Sequence, residues 1–113
     1  MKPNENHHRI WTLVALIPPG KVVSYGQLAD LAGLPGRARL AGRALKLASP
    51  SQNLPWHRVL NSQGKISLQK GSDAYQRQVK RLQEEGIVVI GGKVKLADFQ
   101  WQPSLGELLT LPF

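Results

Sequence analysis

The 113-residue chain contains no cysteine. That excludes disulfides, thiolate metal ligands and a thiol nucleophile, and it fits a reducing compartment. Long apolar runs are missing too. The longest, Leu13 to Ile17, falls far short of the roughly 20 residues that cross a bilayer. The first nine residues, Met1 to Arg9, are polar, so no secretory leader is expected. No basic amphipathic helix with large exposed apolar side chains is visible, which argues against a membrane-surface role. His7 and His8 have no partners at ligand spacing, so neither a metal nor another cofactor is expected. Acidic residues are few: 7 Asp and Glu stand against 15 Lys and Arg, a net charge of +8. A small, strongly basic domain commonly binds a polyanion.

What is present reads as one mainly helical domain spanning residues 1–113, with no repeat and no low-complexity linker. Ile10, Leu13, Val14 and Ile17 recur at helical spacing, which predicts a helix from His8 to Ile17, stopped by Pro18-Pro19-Gly20. Ser24 is a candidate N-cap for a second helix, with Gly33 as its left-handed C-cap. After the turn Leu34-Pro35-Gly36, a third helix is predicted from about Arg37 to Ala48, with Leu40, Ala41, Ala44, Leu45 and Ala48 inward. This last pair makes a helix-turn-helix pattern, and Arg37, Arg39, Arg43 and Lys46 load its second member with charge. Residues 51–57 read as a loop. Arg58 to Leu60, Asn61-Ser62-Gln63-Gly64 and Lys65 to Leu68 read as a hairpin or wing. A helix from Ser72 or Asp73 to Glu85 is closed by Gly86, and Gly91-Gly92 predicts a hairpin between residues 87–90 and 93–96. The segment 97–113 reads as irregular. Its Phe99, Trp101, Leu105, Leu108, Leu109, Leu111 and Phe113 are too apolar for a solvated tail, so it is expected to pack back on the domain. Trp11 and Trp101 are assigned to packing, with pocket closure as the alternative for Trp101.

The most informative stretch is Asn53-Leu54-Pro55-Trp56-His57-Arg58-Val59-Leu60. It resembles the Pro-Cys-His-Arg-Val signature of the O6-alkylguanine-DNA alkyltransferases, with Trp56 at the position of the reactive cysteine. Other stretches agree in order and approximate spacing. Residues Ile17 to Ala29 resemble Ile-Pro-x-Gly-x-Val-x-Ser/Thr-Tyr-Gly-x-Ile/Leu-Ala. Ala38-Arg39-Leu40-Ala41-Gly42 resembles Ala-Arg-Ala-Val-Gly, and Leu82-Gln83-Glu84-Glu85-Gly86 resembles Leu-x-x-Glu-Gly. The resemblance covers about residues 8–90 and is specific as a combination. It implies a winged helix-turn-helix-like domain with a small β-hairpin, similar to the C-terminal domain of these enzymes.

It also implies site residues. Tyr25 matches the tyrosine that crowds a phosphate and helps rotate a nucleotide out of the duplex; without the family match it would read as ordinary packing at a helix start. Arg39 matches the arginine that enters the stack from the minor groove and fills the gap of the flipped base, a task suited to a planar cationic guanidinium. Trp56 would line the alkylguanine pocket, or simply fill the space of a lost active site. Val59 matches a position whose carbonyl reads the guanine amine, its side chain being core. Arg43 and Lys46 are phosphate contacts or a solvated face, and Lys70 is placed against bound DNA. Arg37 reads as solvated and Arg58 as a loop anchor. His57 and Glu85 match the proton-relay pair, which here has no thiol to act on and is expected to be a structural remnant. Ser49 stands where the family carries an asparagine of that network, and the pocket-loop motif is poorly matched by Leu68 to Ser72.

The implied activity is recognition without chemistry. An alkyltransferase-like protein would bind O6-alkylguanine in double-stranded DNA, hold the flipped base without removing its alkyl group, and flag the lesion for nucleotide excision repair. A monomer in the cytoplasm, on the nucleoid or in the nucleus is expected, with no membrane partner. Two rivals remain at this point. One is a plain DNA-binding helix-turn-helix domain. The other is a hydrolase whose water is activated by His57 and Glu85.

Overall fold

The structure, a computed structural model, describes residues 3–113. Among these, six α-helices and a two-stranded sheet form a mainly helical fold. Helix α1 spans Glu5–Leu16. It starts ahead of the predicted His8 because Asn4 caps it: the Asn4 side chain accepts from the His7 N–H at 3.1 Å, and His7 Nδ1 accepts from the Asn4 N–H at 3.0 Å. The polar look of residues 1–9 hid this reciprocal cap, and hid that His7 itself is fully buried.

Strand β1 is Val23–Ser24 and helix α2 is Tyr25–Leu31. Ser24 is the N-cap, its hydroxyl accepting from the Gln27 N–H at 3.0 Å. The end of α2 is a Schellman motif: the Leu34 N–H reaches the Ala29 carbonyl and the Gly33 N–H the Asp30 carbonyl. Gly33 carries this turn at φ +76°, where a side chain would be strained. Helix α3, Ala38–Leu47, buries Leu40, Ala41 and Ala44 against α1 and α2. The Trp11 indole N–H donates to the Ala44 carbonyl at 2.6 Å, so this tryptophan satisfies its polar edge while packing α1 on α3.

Two tight turns at Pro50–Gln52 and Trp56–Arg58 break the predicted loop, and strand β2 follows at Val59–Leu60. Here the structure departs from the predicted hairpin. β2 pairs in parallel with β1, Val23 opposite Val59 and Ser24 opposite Leu60. Val59 and Leu60 are both buried, so they occupy an interior position that a solvated wing could not supply. The chain turns at Asn61 to Gly64, and Lys65 then bridges to Lys93 instead. Helix α4, Asp73–Glu84, is capped by Ser72 and ended by Gly86 at φ +80°. The Gly91-Gly92 turn forms with both glycines at positive φ, but its ladder is short: Ile90 bridges Lys93, and Leu96–Phe99 coils into α5.

Val22 bridges Gln100 in parallel, which carries Trp101 into the core. The segment beyond is not wholly irregular. Ser104 and Glu107 form a capping box that starts α6, Leu105–Leu109. Leu111 packs against the core, whereas Leu105, Leu108 and Leu109 are exposed. The core has two parts. One gathers α1, α2, α3, Val59 and Trp101; the other gathers Val22, Leu60, Ile66, Leu82, Ile87 and Val94. The paired β1 and β2 join them.

Candidate nucleic-acid interface

A large open cavity of about 1140 Å³ lies between α3 and α4. Tyr25 enters it from the start of α2, its ring facing Gly42 of α3, where an added methyl would just touch it. Arg39, Arg43 and Lys46 line it from α3 at helical spacing, so one side of that helix carries three cations. Trp56 and Val59 line it from the loop, and Arg77, Gln78 and Arg81 from α4. No aspartate or glutamate is among the lining residues. The structure therefore brings Tyr25, Arg39, Arg43, Lys46, Trp56 and Val59 to one cavity. Lys70 is exposed and lies outside the lining, one residue beyond Gln69.

Trp56 is half-buried and held by one cation and by its backbone. The Arg81 guanidinium stands 5.5 Å from the centroid of its ring, a favourable cation–π arrangement. Gln78, itself buried, donates through Nε2 to the carbonyls of His57 and Val59, each at 3.1 Å. This pins the backbone on both sides of Arg58, and it gives the Val59 carbonyl a partner within the protein. The Val59 side chain is core.

Behind Trp56 the loop is tied down by charge. His57 Nε2 and Glu85 Oε2 are 2.7 Å apart. Arg58 donates to the same carboxylate through Nε at 3.0 and 3.1 Å and through Nη2 at 2.6 Å, while its Nη1 reaches the Ile17 carbonyl at 2.7 Å. The Gly20 N–H donates to Glu85 Oε1 at 3.0 Å. Burial alone would raise the Glu85 pKa; hydrogen bonds from Arg58, Gly20 and His57 overcome it and hold the group down at about 2. Burial lowers the His57 pKa below its usual value, against the pull of Glu85. A neutral imidazole facing an ionised carboxylate carries its proton on Nε2. Nδ1 is then a buried acceptor with no partner among the described residues. Ser49 does not join this network; its hydroxyl contacts that of Ser51 at 2.7 Å.

Sequence reasoning missed Arg77, Gln78 and Arg81. The apolar stripe Tyr75, Val79 and Leu82 dominates the pattern of α4, and the polar residues recur at the same spacing beside it. Arg77 and Arg81 are one helical turn apart, the signal that would have placed them together.

The family model described as the DNA-binding domain of 6-O-methylguanine DNA methyltransferase matches residues 5–87, and the chain belongs to that family. Its similarity runs to the alkyltransferase-like branch. It is 49% identical over 96 residues to a DNA base-flipping protein of Vibrio parahaemolyticus, covering 84% of this chain and 94% of that one. It is 40% identical over 108 residues to alkyltransferase-like protein 1 of Schizosaccharomyces pombe, covering 91% of this chain and 100% of that one. The crystal structure of S. pombe Atl1 in complex with damaged DNA containing O6-carboxymethylguanine superposes with a TM-score of 0.81 at 39% identity, again covering 91% and 100%. Mycobacterium tuberculosis OGT in complex with DNA gives 0.63 at 31% identity, covering 75% of this chain and 51% of that one.

Proposed function

We propose that this protein binds double-stranded DNA through α2 and α3, flips O6-alkylguanine into the cavity beside Trp56, and holds it without transferring the alkyl group. The observation that carries the reading is the pairing of Tyr25 and Arg39 with Trp56 around one cavity, in a chain without cysteine. Tyr25 crowds the backbone of the target nucleotide, and Arg39 fills the vacated stack. Extrusion costs a few kcal/mol, which such a pair helps to offset. The flipped purine lies against the indole, whose N–H is a donor only and cannot accept an alkyl group as a thiolate does. His57 and Glu85 keep the geometry of a relay, but with Trp56 in the cysteine position the imidazole has no thiol to deprotonate. Retention of the lesion then serves as a flag, and nucleotide excision repair is the pathway proposed to read it.

The test is competition binding at physiological salt between matched duplexes that differ by O6-methylguanine against guanine, with the recovered DNA checked for its methyl group. Tighter binding with the methyl retained is the expected result. Equal binding would leave a plain DNA-binding domain, and loss of the methyl would reveal chemistry that the indole should not support.

A further inference from the structure

Lys65 and Lys93 stand opposite one another on the antiparallel bridge that joins residues 64–66 to residues 92–94. The flanking bonds run from the Ile66 N–H to the Gly92 carbonyl at 2.9 Å and from the Val94 N–H to the Gly64 carbonyl at 2.8 Å. That pattern makes Lys65 and Lys93 a non-hydrogen-bonded pair, the arrangement in which opposing side chains come closest. Ile66 and Val94 are buried, so by alternation the lysines face the other way. Lys95, two residues on from Lys93 at the start of α5, is exposed as well. Like charges directly opposite in a ladder are destabilising. No carboxylate relieves them: the ion pairs among the described residues both belong to Glu85.

Nor can the ladder slide to separate the charges. A side chain at Gly64 would run into the Val94 carbonyl, and one at Gly92 into the Tyr75 hydroxyl. These glycines hold two backbones and a helix in close approach, and the register follows. The fold thus maintains Lys65 and Lys93 side by side, with no ion pair to either among the described residues. The chain continues directly from Lys65 and Ile66 into Ser67, Leu68 and Gln69, which form part of the cavity wall.

We propose that Lys65, Lys93 and Lys95 form a second contact with the phosphate backbone of the duplex, flanking the site of the flipped base. The inference rests on the duplex binding proposed above. Ammonium groups held at fixed spacing displace condensed counterions from the backbone and so add affinity. They carry no base information, so they hold the register of the protein on DNA rather than choose the lesion.

The test compares the wild type with a Lys65→Gln, Lys93→Gln double variant, on duplexes with and without O6-methylguanine, between about 50 and 200 mM salt. Two lost phosphate contacts should make the slope of log K against log salt shallower by about 1.8, roughly a tenfold difference over that range. The ratio of affinities for the two duplexes should not change. The melting temperature of the double variant should equal or exceed that of the wild type, because a repulsive pair has been removed. Lys95→Gln, which leaves the bridge intact, should give a shift of about 0.9 by itself. Unchanged slopes in both variants would overturn the proposal and leave the lysines to an acidic protein or to solvent. A wild type without lesion preference would instead overturn the pocket reading, and the slopes would still report on the lysines.

Discussion

Trp56 and His57 are adjacent in the chain and face opposite surroundings. Trp56 lies half-buried on the wall of an open cavity lined by five cations, with only the Arg81 guanidinium over its ring. His57, edge to face with it at 88°, is buried in a closed network in which one carboxylate serves an imidazole, a guanidinium and a backbone N–H. The same short turn therefore presents one residue to a ligand and spends its neighbour on holding the turn in place. If the protein binds without reacting, as proposed above, positioning of the loop is the role left to His57 and Glu85. If this division holds, substitutions on the closed side should appear in stability and those on the open side in binding.

The largest effect is expected on the closed side. Glu85→Ala leaves Arg58 and His57 without their shared partner in a site where the Arg58 and Glu85 side chains are 13% and 16% exposed. Breaking such a pair should lower stability by about 3 kcal/mol, the low end for buried ion pairs. Thermal or urea unfolding would measure it. The pH dependence follows in sign. Glu85 falls from 4.5 to about 2 on folding, so its contribution is complete above 4.5 and is lost as pH drops toward 2. His57 also has a lowered pKa, so folding excludes its proton and stability begins to decline as pH falls below 6.5. The wild type should weaken in both windows, and Glu85→Ala should flatten the lower one. A variant with wild-type stability and the same acid profile would show that the network is ornamental.

Trp56→Ala should give the reverse split. The indole borders open space, so its removal should cost about 1 kcal/mol of stability or less, well below a fully buried tryptophan. Loss of ring stacking and of alkyl burial should reduce the preference for O6-methylguanine over guanine by roughly tenfold. The same competition assay that tests the function would measure this. A fall in stability comparable to that of Glu85→Ala, with the preference intact, would return Trp56 to the role of space filler.

How much of this was legible beforehand depends on the range of the interaction that decides each feature. Helices α2 and α4 were readable because their stops are local: Ser24 and Ser72 cap, and Gly33 and Gly86 end, within a few residues of the chain they govern. The cavity residues Tyr25, Arg39 and Trp56 were readable because motif resemblance already encodes distant contacts. Strand pairing was not. Whether Val59-Leu60 folds back on residues 65–68 or lies beside Val23-Ser24 is decided by burial on both faces, which no local pattern reports. Arg81 was missed for a related reason, since its partner is a ring 25 positions away. The Asn4 and Ser104 caps, by contrast, were local and legible, and were obscured by the polar and irregular look of the segments around them.

Arg81 supplies the smallest and most diagnostic test, because it touches both sides of the turn. Its guanidinium lies over the Trp56 ring, and its charge is among the influences that lower the His57 pKa. Arg81→Leu keeps most of the side-chain volume and removes both effects. The cation–π contact at this exposed position is worth about 0.5–1 kcal/mol, so the preference for O6-methylguanine should fall by no more than about fivefold. The His57 imidazole should titrate at a higher pH than in the wild type, since one repelling charge is gone while Glu85 remains. Proton NMR of the His57 ring through an acid titration reads that shift directly, and binding reads the other. A change in binding with no change in the titration would confine Arg81 to the open side, as a residue that meets DNA. A change in the titration alone would make it part of the closed network, with Trp56 held by Gln78 and the backbone.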